Sequence, residues 1–148
     1  MNLFKKLIFF AFISISLSQV RIGDWSALTS PLNVRDLIYL NDDLYCATEG
    51  VLFIIKDDSY ETLTTIEGLE GVNLASISLD KDDNVWIGGA SPNGFVQIYD
   101  PIKKQSIHQF DFDLTSILNF QILDSLAFVL FQDGQDMGIM KFLYNDGW

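Results

Sequence analysis

The sequence predicts an all-β chain built from repeated four-stranded units behind a separate apolar leader. Three observations carry that expectation. After residue 20 helical periodicity is scarce, and short apolar or alternating runs bounded by Asp, Asn, Gly or Ser take its place. These runs recur in register: Leu37, Ile77 and Ile117 stand forty residues apart, twice over. Finally, 49% of the 148 residues are apolar, enough for a packed core, which excludes wholesale disorder.

The leader comes first. Lys5 and Lys6 precede a nearly unbroken apolar run, Leu7 to Leu17, and Ser16-Leu17-Ser18-Gln19 then offers small residues in the pattern signal peptidase prefers. This is the three-part layout of a secretory signal peptide, residues 1–18, expected to be helical and cleaved after Ser18. A spanning helix needs about 20 apolar residues, and this run is too short. With Lys5 and Lys6 removed, the formal net charge moves from −11 to −13. Such acid excess argues against nucleic acid, which needs clustered Lys and Arg. No second long apolar run follows, so no membrane span is expected after processing. The only cysteine, Cys46, rules out an internal disulfide and reads as a small buried hydrophobe.

Residues 19–33 form an N-terminal segment. Within it Trp25-Ser26-Ala27-Leu28-Thr29 is similar to Tyr60-Glu61-Thr62-Leu63-Thr64, an expected fourth strand, so it reads as an orphan outer strand. The first unit spans 34–65, with strands at Leu37 to Leu40, Leu44 to Ala47, Val51 to Ile55 and Tyr60 to Thr64. The second spans 74–110, with strands at Leu74 to Leu79, Val85 to Ile87, Phe95 to Tyr99 and Ser106 to Phe110. The third, 114–148, holds a strand opening at Ile117 and others at Leu126 to Phe131 and Gly138 to Tyr144. Four short strands per unit of about 40 residues is the period of a β-propeller blade. A β-sandwich also has strands at short spacing but does not require them to repeat in sequence. The expected architecture is therefore a partial β-propeller of about two complete blades and an incomplete third, over 34–148.

The stretch Gly68-Leu69-Glu70-Gly71-Val72-Asn73-Leu74-Ala75-Ser76-Ile77-Ser78-Leu79-Asp80-Lys81-Asp82-Asp83-Asn84-Val85-Trp86-Ile87-Gly88-Gly89 resembles the two-component-regulator propeller repeat. Asp83 replaces the usual turn glycine of that repeat, and Gly89 its threonine. The first unit is a looser copy, also similar to blades of PorZ-type N-terminal propellers, and the third has lost the Trp-x-Gly signature. On this reading Trp86 fills the gap between adjacent blades. Gly88 and Gly89 allow a tight turn or a close backbone approach. A ring closes with about four to eight blades, so the chain is expected to be the N-terminal part of a longer protein. The alternative is a three-blade unit that assembles with copies of itself. Asn145-Asp146-Gly147 is a hairpin signal, and Trp148 would open the next strand.

Chemistry is thinly represented. Asp80-Lys81-Asp82-Asp83-Asn84 begins like a calcium loop but has Val85 where glycine is needed and Ser91 where glutamate is needed, so it reads as a solvated turn. His108 is the only histidine and falls on an outer-strand pattern, too little for a zinc site. No Gly-x-Ser-x-Gly elbow is present. No metal, cofactor or catalytic residue is expected. The resemblance implies a non-enzymatic extracytoplasmic module, in a sensor or a cell-envelope protein, that binds a small ligand or protein on its loop face. Candidate ligand residues there are Arg35, Asp36, Glu49, Glu67, Glu70, Asn73, Asn93 and Asp136. Their acid excess favours cationic or neutral partners. The alternative is part of a propeller-type lyase or hydrolase resembling streptogramin lyase. That reading asks for channel-facing histidines, which this stretch lacks.

Overall fold

The computed structural model describes residues 31–145 and 147–148. The expected signal peptide, the strand at Trp25 to Thr29 and Asp146 of the last turn lie outside the described residues. Among the described residues eleven strands follow one another as simple meanders: β1 (Asp36–Leu40), β2 (Asp43–Ala47), β3 (Leu52–Lys56) and β4 (Ser59–Leu63); β5 (Val72–Leu79), β6 (Val85–Ser91), β7 (Phe95–Asp100) and β8 (Gln105–Asp111); β9 (Ser116–Leu123), β10 (Leu126–Asp133) and β11 (Asp136–Leu143). They make three antiparallel sheets of four, four and three strands, each paired in chain order. No helix occurs among the described residues. The all-β expectation holds, and the strands fall where the apolar runs place them.

Turn chemistry sets the hairpins. Asn41 and Asp42, between β1 and β2, both take positive φ, at 51° and 66°. That is the backbone a two-residue hairpin demands, and Asn and Asp tolerate it. The register then sorts side chains by face. In the first sheet Leu40, Tyr45, Ala47, Leu52, Ile54 and Leu63 share one face. They form a buried core with Leu74, Ile77, Val85, Ile87 and Phe95 of the second sheet. The opposite face of the second sheet carries Trp86, Val96 and Ile98, which are buried with Ile117, Phe120, Ala127 and Val129 of the third. The sheets thus stack in chain order, with β5 against β1 and β2, and β9 against β5, β6 and β7.

Trp86 sits in the second core and is fully buried. Its ring meets Phe120, Phe142 and Trp148 edge-on, with centroids 5.8, 5.6 and 4.9 Å away. Gly88 and Gly89 lie within β6, so close approach rather than a turn explains them. A Cβ on Gly88 would stand 2.6 Å from Cγ2 of Ile117, and one on Gly89 would strike the ring of Phe95. The third sheet departs from its predecessors. Its departure is one of phase, not of arm length, since β5 and β6 have eight and seven residues and β9 and β10 eight each. Ala127 of the second strand turns back toward the second sheet, whereas Tyr45 and Trp86, the large aromatics of the corresponding strands, face forward. A one-residue change of phase is enough to exchange the two faces of a strand.

Candidate functional site

The meander puts two sets of loops at opposite ends of the stack. One end gathers the β2–β3, β4–β5, β6–β7, β8–β9 and β10–β11 connections, and all eight candidate ligand residues lie there. Four of them converge where the first sheet meets the second. Arg35 donates from a guanidinium nitrogen to Oδ1 of Asn73 at 2.6 Å and to the Leu74 carbonyl at 3.4 Å. Asn73, at φ 60°, donates its backbone N–H to the Glu49 carbonyl at 2.7 Å. The Glu49 carboxylate accepts from the Asn33 amide at 2.9 Å. Asp36 reaches across the joint, its Oδ2 accepting from the Ser76 hydroxyl at 2.9 Å and the Ile77 N–H at 3.0 Å. The Arg35, Asn73 and Asp36 side chains thus tie one sheet to the next, while the Glu49 carboxylate stays within its own unit and only its carbonyl crosses.

Glu67 and Glu70 belong to the β4–β5 crossover. The Glu67 carboxylate accepts from the backbone N–H and the hydroxyl of Thr64, and the hydroxyl bond foremost holds its pKa below the usual carboxylate range. Glu70 donates its N–H to Oε1 of Gln97 at 2.9 Å, while Nε2 of Gln97 donates to the Gly68 carbonyl at 2.7 Å. Gln97 is fully buried in β7 and clamps the crossover. Asn93 and Asp136 are exposed, on the β6–β7 loop of the second sheet and at the start of β11. Backbone bonds also cross both joints, the donor lying on the later side at the first and on the earlier side at the second. Leu74 N–H donates to the Thr48 carbonyl at 3.0 Å, and Gly94 N–H to the Leu114 carbonyl at 2.8 Å.

The other end is built around Asp80, which the sequence presents as part of a solvated turn. Lys81, Asp82 and Asp83 are exposed, but Asp80 is buried. Its Oδ1 accepts from the N–H groups of Asp82 and Asn84 at 2.9 and 3.0 Å. Its Oδ2 accepts from the indole nitrogens of Trp86 and Trp148 at 3.3 and 3.0 Å. A cleft of about 400 Å³ opens beside it, lined by Asp82, Asp100, Lys103, His108, Tyr144 and Trp148 among others. His108 is half-buried there and stacks on Phe110. The backbone N–H of Lys103, then its ammonium, keeps the Asp100 pKa low. A second cleft, between β4 and β7, holds Glu61 paired with Lys104 and Lys56 at 3.1 Å each. Bonds from those lysines, Lys104 first, lower the Glu61 pKa. Burial raises the Cys46 thiol. Among the described residues no group of three or more His, Cys, Asp or Glu side chains is placed to hold a metal ion.

The fold is similar to that of one solved extracellular domain. The match is to the extracellular domain of the hybrid two component system protein BT3049 from B. thetaiotaomicron, with a TM-score of 0.53 and 20% sequence identity. It covers 78% of this chain and 18% of that one, so this chain spans less than a fifth of its neighbour's length. No protein-family model matches the chain, and no curated protein matches it. Among the described residues no helix is long and apolar enough to cross a membrane.

Two structural centres escape a sequence reading. Gln97 looks like any polar residue of an alternating strand, yet it is buried and holds the β4–β5 crossover. Asp80 is hidden among five consecutive polar residues. The one available signal is its place four residues before Asn84 and six before Trp86, which suits an Asx-type turn closed by an indole N–H.

Proposed function

We propose that this chain is a non-enzymatic β-propeller module of an exported protein, whose three sheets are successive blades, and that it binds a ligand or protein partner at the loop end. The observation that carries the reading is the stack of meandering antiparallel sheets, together with its likeness to the extracellular domain of a hybrid two component system protein. The leader at residues 1–18 is the sequence's own support for export to the periplasm, outer-membrane surface or exterior. The loop end offers Glu49, Glu67, Glu70 and Asp136 against one base, Arg35. That balance favours a cationic or neutral partner. Loops carry binding more often than strands do, and Asn93 and Asp136 are exposed there without a structural duty assigned above.

Protease access to a C-terminally tagged full chain tests the export claim. The tag should be digested in spheroplasts before lysis; protection until lysis overturns the reading. The binding claim is tested by fluorescence anisotropy with labelled octalysine and octaglutamate. Preferential binding of octalysine, weakened by Glu70→Lys and Asp136→Lys, is expected. Equal or reversed preference removes the loop end as a site for cationic partners.

A further inference from the structure

We propose that the cleft between β4 and β7 binds a small zwitterion, an ammonium and a carboxylate at opposite ends of a short apolar body. The site is separate from the loop-end reading and shares only Glu67 with it. It stands at an internal joint, walled by the first sheet on one side and the second on the other, and measures about 280 Å³. Ligand clefts run to about 300–1,000 Å³, so this one suits a molecule of dipeptide size rather than a chain. Its floor is apolar: Ile54, Leu63 and Tyr99 line it and are only 6, 7 and 5% exposed. Two polar atoms border it without a protein partner. Both bonds that Glu67 accepts from Thr64 go to Oε2, and Oε1 accepts none among the described residues. The Tyr99 hydroxyl makes no hydrogen bond among them either, although a buried tyrosine hydroxyl ordinarily finds a partner. Among the described residues no side-chain oxygen is both sealed from solvent and unpartnered. This hydroxyl, on a side chain otherwise enclosed, therefore opens on the cleft that it lines. Burial, then the charge of Glu61, raises the phenol's pKa and keeps it a donor.

The polar groups sort by end. Glu67 belongs to the crossover at the loop end. Lys104 projects from the β7–β8 turn at the Asp80 end, beside Tyr99, which stands one residue before the end of β7. Lys104 donates to both carboxylate oxygens of Glu61, at 3.2 and 3.1 Å. Lys56 holds the same carboxylate at 3.1 Å and lies 3.7 Å from Asp43. Glu61 is thus matched by lysines, whereas among the described residues no lysine or arginine pairs with Glu67. An ammonium therefore goes to Oε1 of Glu67. A carboxylate goes to the other end, where the Tyr99 hydroxyl donates and Lys104 has a third N–H to offer. Glu61 and Leu63 are two strand steps apart, about 7 Å. A dipeptide, at about 3.5 Å per residue, sets its terminal charges about 7 Å apart and lays an apolar side chain on the floor between them.

The test is an amide-correlation NMR titration of the full chain with alanyl-leucine, and with ε-aminocaproate as a peptide-free zwitterion of similar length. Saturable shifts at Leu63, Glu67 and Tyr99 are expected, with a Kd of about 1 mM for so small a ligand. Binding by both probes, or by one of them, supports the shared chemistry and tells which body the cleft takes. N-acetylated alanyl-leucine, which lacks the ammonium, and alanyl-leucinamide, which lacks the carboxylate, should each bind about tenfold more weakly, because a hydrogen bond to a charged group is worth at least that factor. Glu67→Gln and Tyr99→Phe should weaken the intact dipeptide by about the same factor. Asp111→Asn, which removes a negative charge from β8, should leave its affinity unchanged. No saturable shift at about 10 mM of either zwitterion, capped dipeptides that bind as well as the intact one, or affinity untouched by both cleft variants overturns the proposal. If Glu67→Gln loses its β circular dichroism, Tyr99→Phe, which keeps the ring and removes only the hydroxyl, decides between the same results.

Discussion

Truncating Trp86 should remove the centre of the contact between the second and third sheets. Its side chain is fully buried and meets three aromatic rings edge-on. An enclosed aromatic of this size keeps about 200–250 Å² from water, which at about 25 cal/mol per Å² sets a ceiling near 5–6 kcal/mol. Large-to-small changes at such sites cost about 3–5 kcal/mol, and three edge contacts place Trp86→Ala at the upper end. The substitution also strips one donor from the buried carboxylate of Asp80. Trp86→Phe keeps a ring but loses that donor and part of the packing, so about 2 kcal/mol is expected. Urea denaturation of the full chain, followed by far-UV circular dichroism, measures both. A loss under about 1.5 kcal/mol for Trp86→Ala, well below the aromatic-truncation range, would refute an interlayer position for this side chain.

Asp80→Ala leaves two indole N–H groups and two backbone N–H groups without their acceptor. It should cost about 3 kcal/mol in the same assay, since bonds to a charged acceptor are worth about 1.5–3 kcal/mol each; a neutral result would mean that the turn is solvated after all. Gly88→Ala puts a methyl group 2.6 Å from Ile117 and 2.8 Å from Phe120, so overpacking of about 1–3 kcal/mol is expected, and an unchanged denaturation midpoint would contradict the close approach of the two sheets. Burial, then the charge of Asp43, pushes the Tyr45 phenol up to about 12. A folded value above the ordinary phenol value near 10 means that its contribution is complete below pH 10 and is lost as pH rises toward 12. Stability should therefore fall more steeply over that window in the wild type than in Tyr45→Phe, and equal slopes would argue that Tyr45 is solvated.

The strands were legible because each shows its period and its punctuation. Leu37 to Leu40, the Asn41-Asp42 turn and Leu44 to Ala47 are a hairpin on sight, and the forty-residue recurrence sets Ile77 and Ile117 on equivalent faces. Trp86 was legible as an interlayer residue from the repeat it belongs to. What stayed hidden depends on three-dimensional closure. Arg35, Asp36 and Asn73 read as free loop polars, and only the stacking of two sheets reveals that Arg35 bonds Asn73 and that Asp36 bonds Ser76 and the Ile77 backbone. Gln97 is a buried polar residue whose partners, Gly68 and Glu70, come from a distant crossover, and Asp80 is buried because Trp148 from far along the chain joins its local partners Asp82, Asn84 and Trp86. The forward face of the third sheet was obscured because β10 turns Ala127, the counterpart of Tyr45 and Trp86, to the opposite face from theirs.

The central claim is that three antiparallel meanders stack face to face in chain order. Aromatic nuclear Overhauser contacts from the Trp86 indole test it most directly, because the structure brings that ring against side chains of β9 and β11 from another sheet. Cross-peaks to the rings of Phe120 and Phe142 are the predicted result. An indole that shows contacts only within β5 to β8, with none to either phenylalanine, would contradict the stack.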